Sequence, residues 1–424
     1  MELFIHEPGR YGIDPQDQCD ALEELLTGVV LNKVLILPPD FTRFHSGAGY
    51  LTCCAWELLK DRAVVDILPA LGTHAPMTEA ELDKMYPGIP HERFLVHRWR
   101  EDVVKLGTIS GEELAALSGG LWTEPVDVEI NRRVVEGGYD LILSIGQVVP
   151  HEVVGMSNHA KNLFVGVGGA SMLGSSHMLG AVYGLERMMG RDRTPVRKLF
   201  DLAYERYLKD LPICFVLTVM SAGQHMHGLF IGDSRRVFEE AVARSQKNNL
   251  DWVEPIDNCV VYLDPEEYKS TWLGNKAVYR TRMALADGAR LRIIAPGVEK
   301  FGEDPENDRL IRKYGYRGRL RTLELFKTEP ELRSNMSAAA HLIHGSSDGR
   351  FSVTYAAGRL SREEIEAVGF GWADCGELLR RYPPEQMKDG WQTMPDGERV
   401  FYISNPALGL WADCKRFEET EGEG

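Results

Sequence analysis

No apolar run in this 424-residue chain exceeds strand length. The longest, Ile213–Met220, is far too short to cross a bilayer, so no membrane partner is expected. Basic residues are in deficit, 48 Lys and Arg against 63 Asp and Glu, for a net charge of -15. That excludes the basic face a nucleic-acid or anionic-membrane partner would need. Part of the acidity sits in the tail, at Glu418, Glu419, Glu421 and Glu423. No Cys-x-x-Cys or His-Glu-x-x-His zinc motif is present, and no Gly-x-Gly-x-x-Gly follows the first strand, which weakens a plain dinucleotide dehydrogenase. The seven cysteines are odd in number and form no framework. The opening residues Met-Glu-Leu-Phe-Ile-His show no secretory signal. The expectation is a reducing, cytoplasmic compartment with free thiols.

What is present is a series of short apolar runs: Val34–Leu37, Val64–Leu68, Leu141–Ile145, Ile213–Met220, Cys259–Leu263, Leu291–Ala295 and Val353–Ala357. Continuous rather than alternating apolar character predicts strands covered on both faces. Helical patterns fall between them, at Gly49–Asp61, Ser234–Gln246 and Lys276–Asp287, and a capping box at Thr78 and Glu81 opens a helix to Met85. The residues 213–231 read as two strands joined through Ser221–Gln224. The fold class is therefore α/β with mostly parallel sheets, a second α/β unit beginning near Asp264-Pro265. Only the last eight or so residues look disordered.

Ligands of open α/β sheets bind beyond the carboxyl ends of strands, and four loops there are chemically loaded. The first is Pro38-Pro39-Asp40-Phe41-Thr42-Arg43, with a carboxylate, a hydroxyl and a guanidinium able to grip an anion. Its bland reading is a helix cap with a surface ion pair. The second carries Gly72-Thr73-His74 and the third Pro150-His151. Each places a neutral-range acid/base at a strand end, although a lone loop histidine is more often solvated. The fourth follows Leu291–Ala295, from Pro296 to Gly302.

His151 opens a segment that continues to Lys161, ten residues on, and to His177, sixteen further. It combines a proton-transfer candidate, an amine able to form a covalent link and a candidate metal ligand. One imidazole at His177 makes a metal site only if a cofactor brings the other ligands. His225 and His227 share a strand face, yet no third ligand is evident and a structural or substrate-adjacent role is favoured. Lys276 heads a helical pattern, where a solvated lysine competes with an anion-binding one.

Taken together, Asp40-Phe-Thr-Arg43, Gly72-Thr-His74, Pro150-His151, Lys161, His177 and Lys276 resemble the nickel-pincer lactate racemase family in order and spacing over roughly residues 30–300. The resemblance implies two α/β domains with an active-site cleft between them. The first spans residues 1–263, with 405–424 returning to it, and the second 264–404. It implies a nickel-pincer nucleotide, a pyridinium-3-thioamide-5-thiocarboxylic acid mononucleotide tethered to Lys161, with nickel bound by His177. His74 and His151 become the acid/base pair. Arg43 and Lys276 hold the cofactor or substrate anion, Asp40 and Thr42 lie near the cofactor, and Gly155, Ser157 and Asn158 form a phosphate cradle. Cofactor-biosynthesis enzymes become partners in maturation, and a homo-oligomer stays open.

Two departures bear on the substrate. The approach to the lysine reads Ser157-Asn158-His159-Ala160 instead of a Ser-Gly-Gly type, and Leu273 stands where a glutamine is usual. The Ser-Asn-His-Ala-Lys form resembles the branch labelled D-mannonate epimerase. Asn158, His159 and Asn275 are expected to offer hydrogen bonds to a polyhydroxylated substrate. The implied activity is inversion at C2 of a sugar acid, D-gluconate to D-mannonate. The alternatives are racemisation of a short 2-hydroxy acid such as lactate or malate, and a non-catalytic carrier of the pincer nucleotide.

Overall fold

The computed structural model describes residues 2–421 apart from 8, 10, 222 and 408. Contacts divide the chain into two units. The first holds residues up to Ser176 and Met189–Asn249; the second holds His177–Met188 and everything from Leu250 onward.

The first unit is built on a six-stranded sheet of β1 (Leu3–His6), β2 (Lys33–Leu37), β3 (Val64–Ile67), β4 (Leu141–Gln147), β5 (Ile213–Met220) and β6 (Met226–Gly232), in the order β1-β6-β5-β4-β2-β3. The four strands β3, β2, β4 and β5 run parallel, with Leu35 opposite both Asp66 and Ile142 and Ile145 opposite Val216. β5 and β6 form the antiparallel hairpin read from the sequence. Helices α1 (Pro15–Leu26) and α2 (Ala48–Leu59) cover one face, where Leu22, Leu51 and Ala55 pack with Ile36, Val65, Ile145 and Val216. Leu35 and Leu37, which point to the other face, are as buried as Val34 and Ile36, so the strand is covered on both faces and is apolar throughout rather than alternating. The capping box forms as expected, Thr78 accepting from the Glu81 amide and Glu81 reaching back to Thr78.

Two of the cysteines expected to be free are joined. Cys19 on α1 and Cys54 on α2 form a disulfide with Cα atoms 5.7 Å apart. Thirty-five residues separate them in sequence, and only the packing of the two helices brings them together. The bond removes free thiols as an argument for a reducing compartment. Among the described residues no helix is long and apolar enough to cross a membrane.

The second unit has its own six-stranded sheet, of β7 (Ile256–Tyr262), β8 (Leu285–Ala295), β9 (Ser352–Ala357), β10 (Gly371–Trp372), β11 (Gly390–Thr393) and β12 (Arg399–Ile403), in the order β10-β9-β8-β7-β12-β11. All pairs are parallel except β11 with β12. The helix expected over Lys276–Asp287 is only the short turn Lys276–Tyr279, and Leu285 already belongs to β8. Thr281 bonds back to Ala277 O at 2.7 Å, and Arg282 is buried against Glu186 at 2.7 Å. Side-chain bonding to the backbone and strand pairing of Leu285 with Ile256 outweigh helix propensity here. The tail expected to be disordered is a helix over Cys414–Glu421. Phe417 anchors it edge-on to Trp252, ring centroids 5.2 Å apart. The final three residues lie outside the described residues.

Titration of thiols in the denatured chain checks the disulfide. Five are expected without reductant and seven after reduction; seven from the start would show that the bond is absent.

Candidate functional site

Because β3, β2 and β4 are parallel neighbours, their carboxyl ends meet at one edge of the first unit's sheet, and the connections from β2 and β4 leave in opposite directions, to β3 and β5. That is the switch-point arrangement in which open α/β sheets bind ligands. The loops after β2 and β3 are stitched together by a Pro39–Ala70 bridge and by the Ala70 amide donating to Pro38 O at 2.8 Å. Gly72, with φ of 58°, makes the tight turn that presents His74, and its amide donates to Gly166 O at 2.8 Å.

Asp40 and His74, 34 residues apart, meet here. Asp40 is 5% exposed. Its Oδ1 accepts from the Thr42 amide at 3.1 Å and the Thr42 hydroxyl at 2.5 Å, and its Oδ2 lies 2.5 Å from His74 Nδ1. Burial pushes the carboxyl up, but hydrogen bonds from His74 and Thr42 and the charges of His74 and Arg43 outweigh it and hold it below the usual range. The bland cap reading holds for Asp40 as well, since it caps the turn Phe41–Ser46; the same carboxylate orients a histidine.

The two histidines are held differently. With Nδ1 against a carboxylate, His74 carries its proton there and presents Nε2 as a base. His151 lies on a small hairpin of Pro150–His151 with Gly155–Met156, and its Nδ1 accepts from the Val153 amide at 3.1 Å. Its proton then sits on Nε2, which is a donor when the ring is neutral. One ring nitrogen that accepts and one that donates thus stand on the loops after the two strands that flank β2.

Lys161 is partly buried at the head of the turn Asn162–Gly166. Its amine is lowered to about 8 by burial and by the charge of Arg43, with Arg197 adding to the effect and Glu152 and Asp40 opposing it. Asn162 ties the turn to the sheet, donating to Ser144 Oγ at 2.9 Å and Leu37 O at 3.3 Å. Arg43 itself is exposed and close enough for its charge to act on both Asp40 and Lys161.

Other expected site residues fare unevenly. The Ser157 hydroxyl donates to Gln147 O at 2.7 Å and accepts from the Val149 amide at 2.9 Å, so it is engaged in the fold. Gly155 has φ of 81°, as the hairpin turn requires. Asn158 is buried, its Oδ1 accepting from the His159 amide at 2.7 Å. His159 is 2% exposed among Phe215, Phe238 and Tyr204. Asn275, 0% exposed, accepts from Tyr355 Oη at 2.8 Å. All three of the side chains expected to meet a polyol, Asn158, His159 and Asn275, are enclosed by packing. His227 is engaged by Glu7 O at 2.8 Å, and among the described residues no group of three or more His, Cys, Asp or Glu is placed to hold a metal by itself. His177, on α3 (Ala170–Tyr183), and Lys276, over the Tyr268 ring at 5.7 Å, belong to the second unit. The sequence reading missed Asn162 and Arg197.

Residues 14–187 match the family model of the lactate racemase N-terminal domain. The fold of the chain is similar to that of a Thermotoga maritima protein solved by structural genomics, with a TM-score of 0.77 and 22% identity over 96% of this chain and 99% of that one. It is also similar to the lactate racemase apoprotein from Thermoanaerobacterium thermosaccharolyticum, with a TM-score of 0.68 and 16% identity over 95% and 94% of the two chains. No curated protein matches the chain. The family model covers less than half of the chain, and the two solved structures show a shared fold.

Asp40→Asn tests the carboxylate's role. Because its folded pKa is depressed, its stabilisation is present above the usual carboxylate range and is lost as pH falls through the folded value. The variant is expected to lose about 1–3 kcal/mol near neutrality, a gap that narrows towards about pH 3. Urea unfolding at both pH values reads this; an equal gap at both would contradict it.

Proposed function

We propose that this protein is a 2-hydroxy-acid racemase or epimerase that works with a nickel-pincer nucleotide attached to Lys161. The observation that carries the reading is the lowered Lys161 amine in the same unit as the Asp40–His74 pair. A partly sheltered amine titrating near neutrality suits covalent attachment, and Arg43 beside it suits an anionic nucleotide. The residues present therefore fit the group. Lys161 would tether it, His177 would ligate its nickel, Asp40, Thr42 and Arg43 would border it, and the backbone at Gly155, Ser157 and Asn158 would face its phosphate.

When bound, the group supplies a reversible acceptor for the C2 hydride. The chain's own residues handle the proton and the charge. His74 Nε2 takes the proton of the C2 hydroxyl, and Asp40 stabilises the imidazolium that forms. His151, whose Nε2 carries the proton in this geometry, donates a hydrogen bond to the C2 oxygen in the mirror arrangement, and it acts as base there once it releases the Val153 amide and carries its proton on Nδ1 instead. Arg43 neutralises the substrate carboxylate.

We propose a sugar acid, D-gluconate to D-mannonate, as the substrate, on the strength of the Ser157-Asn158-His159-Ala160-Lys161 motif. The enclosure of Asn158, His159 and Asn275 favours a second reading, a short acid such as lactate, that needs no extra polar partners.

The test uses protein co-produced with the cofactor-building enzymes and incubated in heavy water with D-gluconate or L-lactate separately. Conversion of gluconate to its C2 epimer with the C2 hydrogen retained is expected, and His74→Ala or His151→Ala should slow it about 100-fold or more. Conversion of lactate alone would select the short-acid reading. Binding of cofactor without turnover of either acid would select the carrier.

A further inference from the structure

Arg197 is a fully buried cation of the first unit that the proposed chemistry does not use. It stands on α4 (Pro195–Tyr207) among the buried residues Val196, Leu199, Phe200 and Ala203, and is 0% exposed. Its Nη2 donates to Met156 O at 2.8 Å and to Asn158 O at 3.3 Å, and its Nη1 donates to Asn158 O at 3.4 Å. The guanidinium lies 4.2 Å over the Phe238 ring. Burial lowers its pKa to about 10, which keeps it charged near neutrality, and the charge of Asp201 supports it. Asp201 is in turn paired with Arg235 at 3.1 Å.

The two carbonyls it grips flank Ser157, just where the backbone does something costly. Asn158 and His159 have φ of 66° and 57° in succession, and neither is glycine. A left-handed L-residue brings its Cβ close to the following carbonyl and is strained, even where it is Asn or His. Two in a row persist only where the surroundings over-determine them. The surroundings here are the Arg197 fork on one side and an aromatic box around His159 on the other. The His159 ring is 4.0 Å from Phe215 and 5.1 Å from Phe238, centroid to centroid, and neither ring nitrogen has a hydrogen-bond partner among the described residues. His159 is thus held as an apolar plug. Two residues after this double kink comes Lys161.

We propose that Arg197 is the positioning residue for Lys161: its two-carbonyl clamp holds the left-handed kink that aims and shelters the amine. The inference rests on the reading of Lys161 as the attachment point, and its test needs no cofactor. Removing the fork leaves buried carbonyls without donors and frees the kink. Lys161 then gains water and loses a like charge, and both changes raise its pKa. Arg43 stays as a cation acting on the amine, and Glu152 and Asp40 as the opposing carboxylates.

The experiment is reductive methylation of the purified protein with formaldehyde and cyanoborohydride across a pH series, followed lysine by lysine by peptide mass spectrometry. Lys415, with its side chain 81% exposed, is the internal reference. In the wild type, Lys161 should react with a midpoint of about 8. Arg197→Met should raise the Lys161 midpoint by about one unit or more and change its plateau rate, while leaving Lys415 alone. Arg197→Lys restores the charge but not the fork, so its midpoint should fall in between. A folded Arg197→Met protein with the wild-type Lys161 midpoint and plateau would overturn the proposal. If that variant fails to fold, hydrogen exchange on the wild type decides. The Ser157, His159 and Asn162 amides should exchange as slowly as those of β4 and β5, and exchange at the rate of open loops would overturn the clamp. An ordinary Lys161 midpoint in the wild type, with those amides slow, would instead sink the attachment reading while supporting the clamp.

Discussion

A primary amine has to lose its proton before it can form a covalent bond, and a chain of net charge -15 works against that loss. The field of an acidic protein favours the ammonium form. This fold answers locally: it takes Lys161 largely out of water and sets the charges of Arg43 and Arg197 against it. The nearest opposing carboxylate on the β2 loop, Asp40, is itself tied up by His74 and Thr42. The same pair of bonds therefore serves two ends. It orients a histidine with its Nε2 available, and it keeps Asp40 ionised, a charge acting on the amine that burial and the two arginines outweigh.

The sheet makes this arrangement possible. Parallel pairing of β3, β2 and β4 sends three consecutive loops to one edge, so residues far apart in sequence become neighbours. Asn162 locks the lysine turn to that edge through Leu37 and Ser144, one partner on each of two strands. The aromatic box around His159 and the Arg197 fork brace the opposite end of the turn. A strained backbone braced on both sides is a familiar way of holding a reactive group in a fixed direction.

Much of this could be read in the sequence, for physical reasons. Strands covered on both faces have to be apolar along their length, so β2, β4, β5 and β7 announce themselves. The loops after β2 and β3 carry Asp40, Arg43 and His74 in plain view. Side-chain environment was far less legible. His159 looked like a polar group facing a substrate, yet it fills an aromatic core with both nitrogens unpaired. Asn275 looked equally available and is enclosed against Tyr355. Arg197 gave one weak signal, a cation on the apolar side of its helix beside Val196 and Phe200. The Cys19–Cys54 bond gave none, because it depends on how two helices pack. The strand beginning at Leu285 overrode a local helical pattern through pairing with Ile256, which no window of sequence around Lys276 contains.

The central claim is that Lys161 carries a nickel-bearing nucleotide. Intact-protein mass spectrometry with metal analysis, on wild type and Lys161→Ala made alongside the cofactor-building enzymes, tests it most directly. The account predicts a mass increase with bound nickel in the wild type and neither in the variant. An unmodified, nickel-free wild-type protein from cells shown to make the cofactor would contradict it.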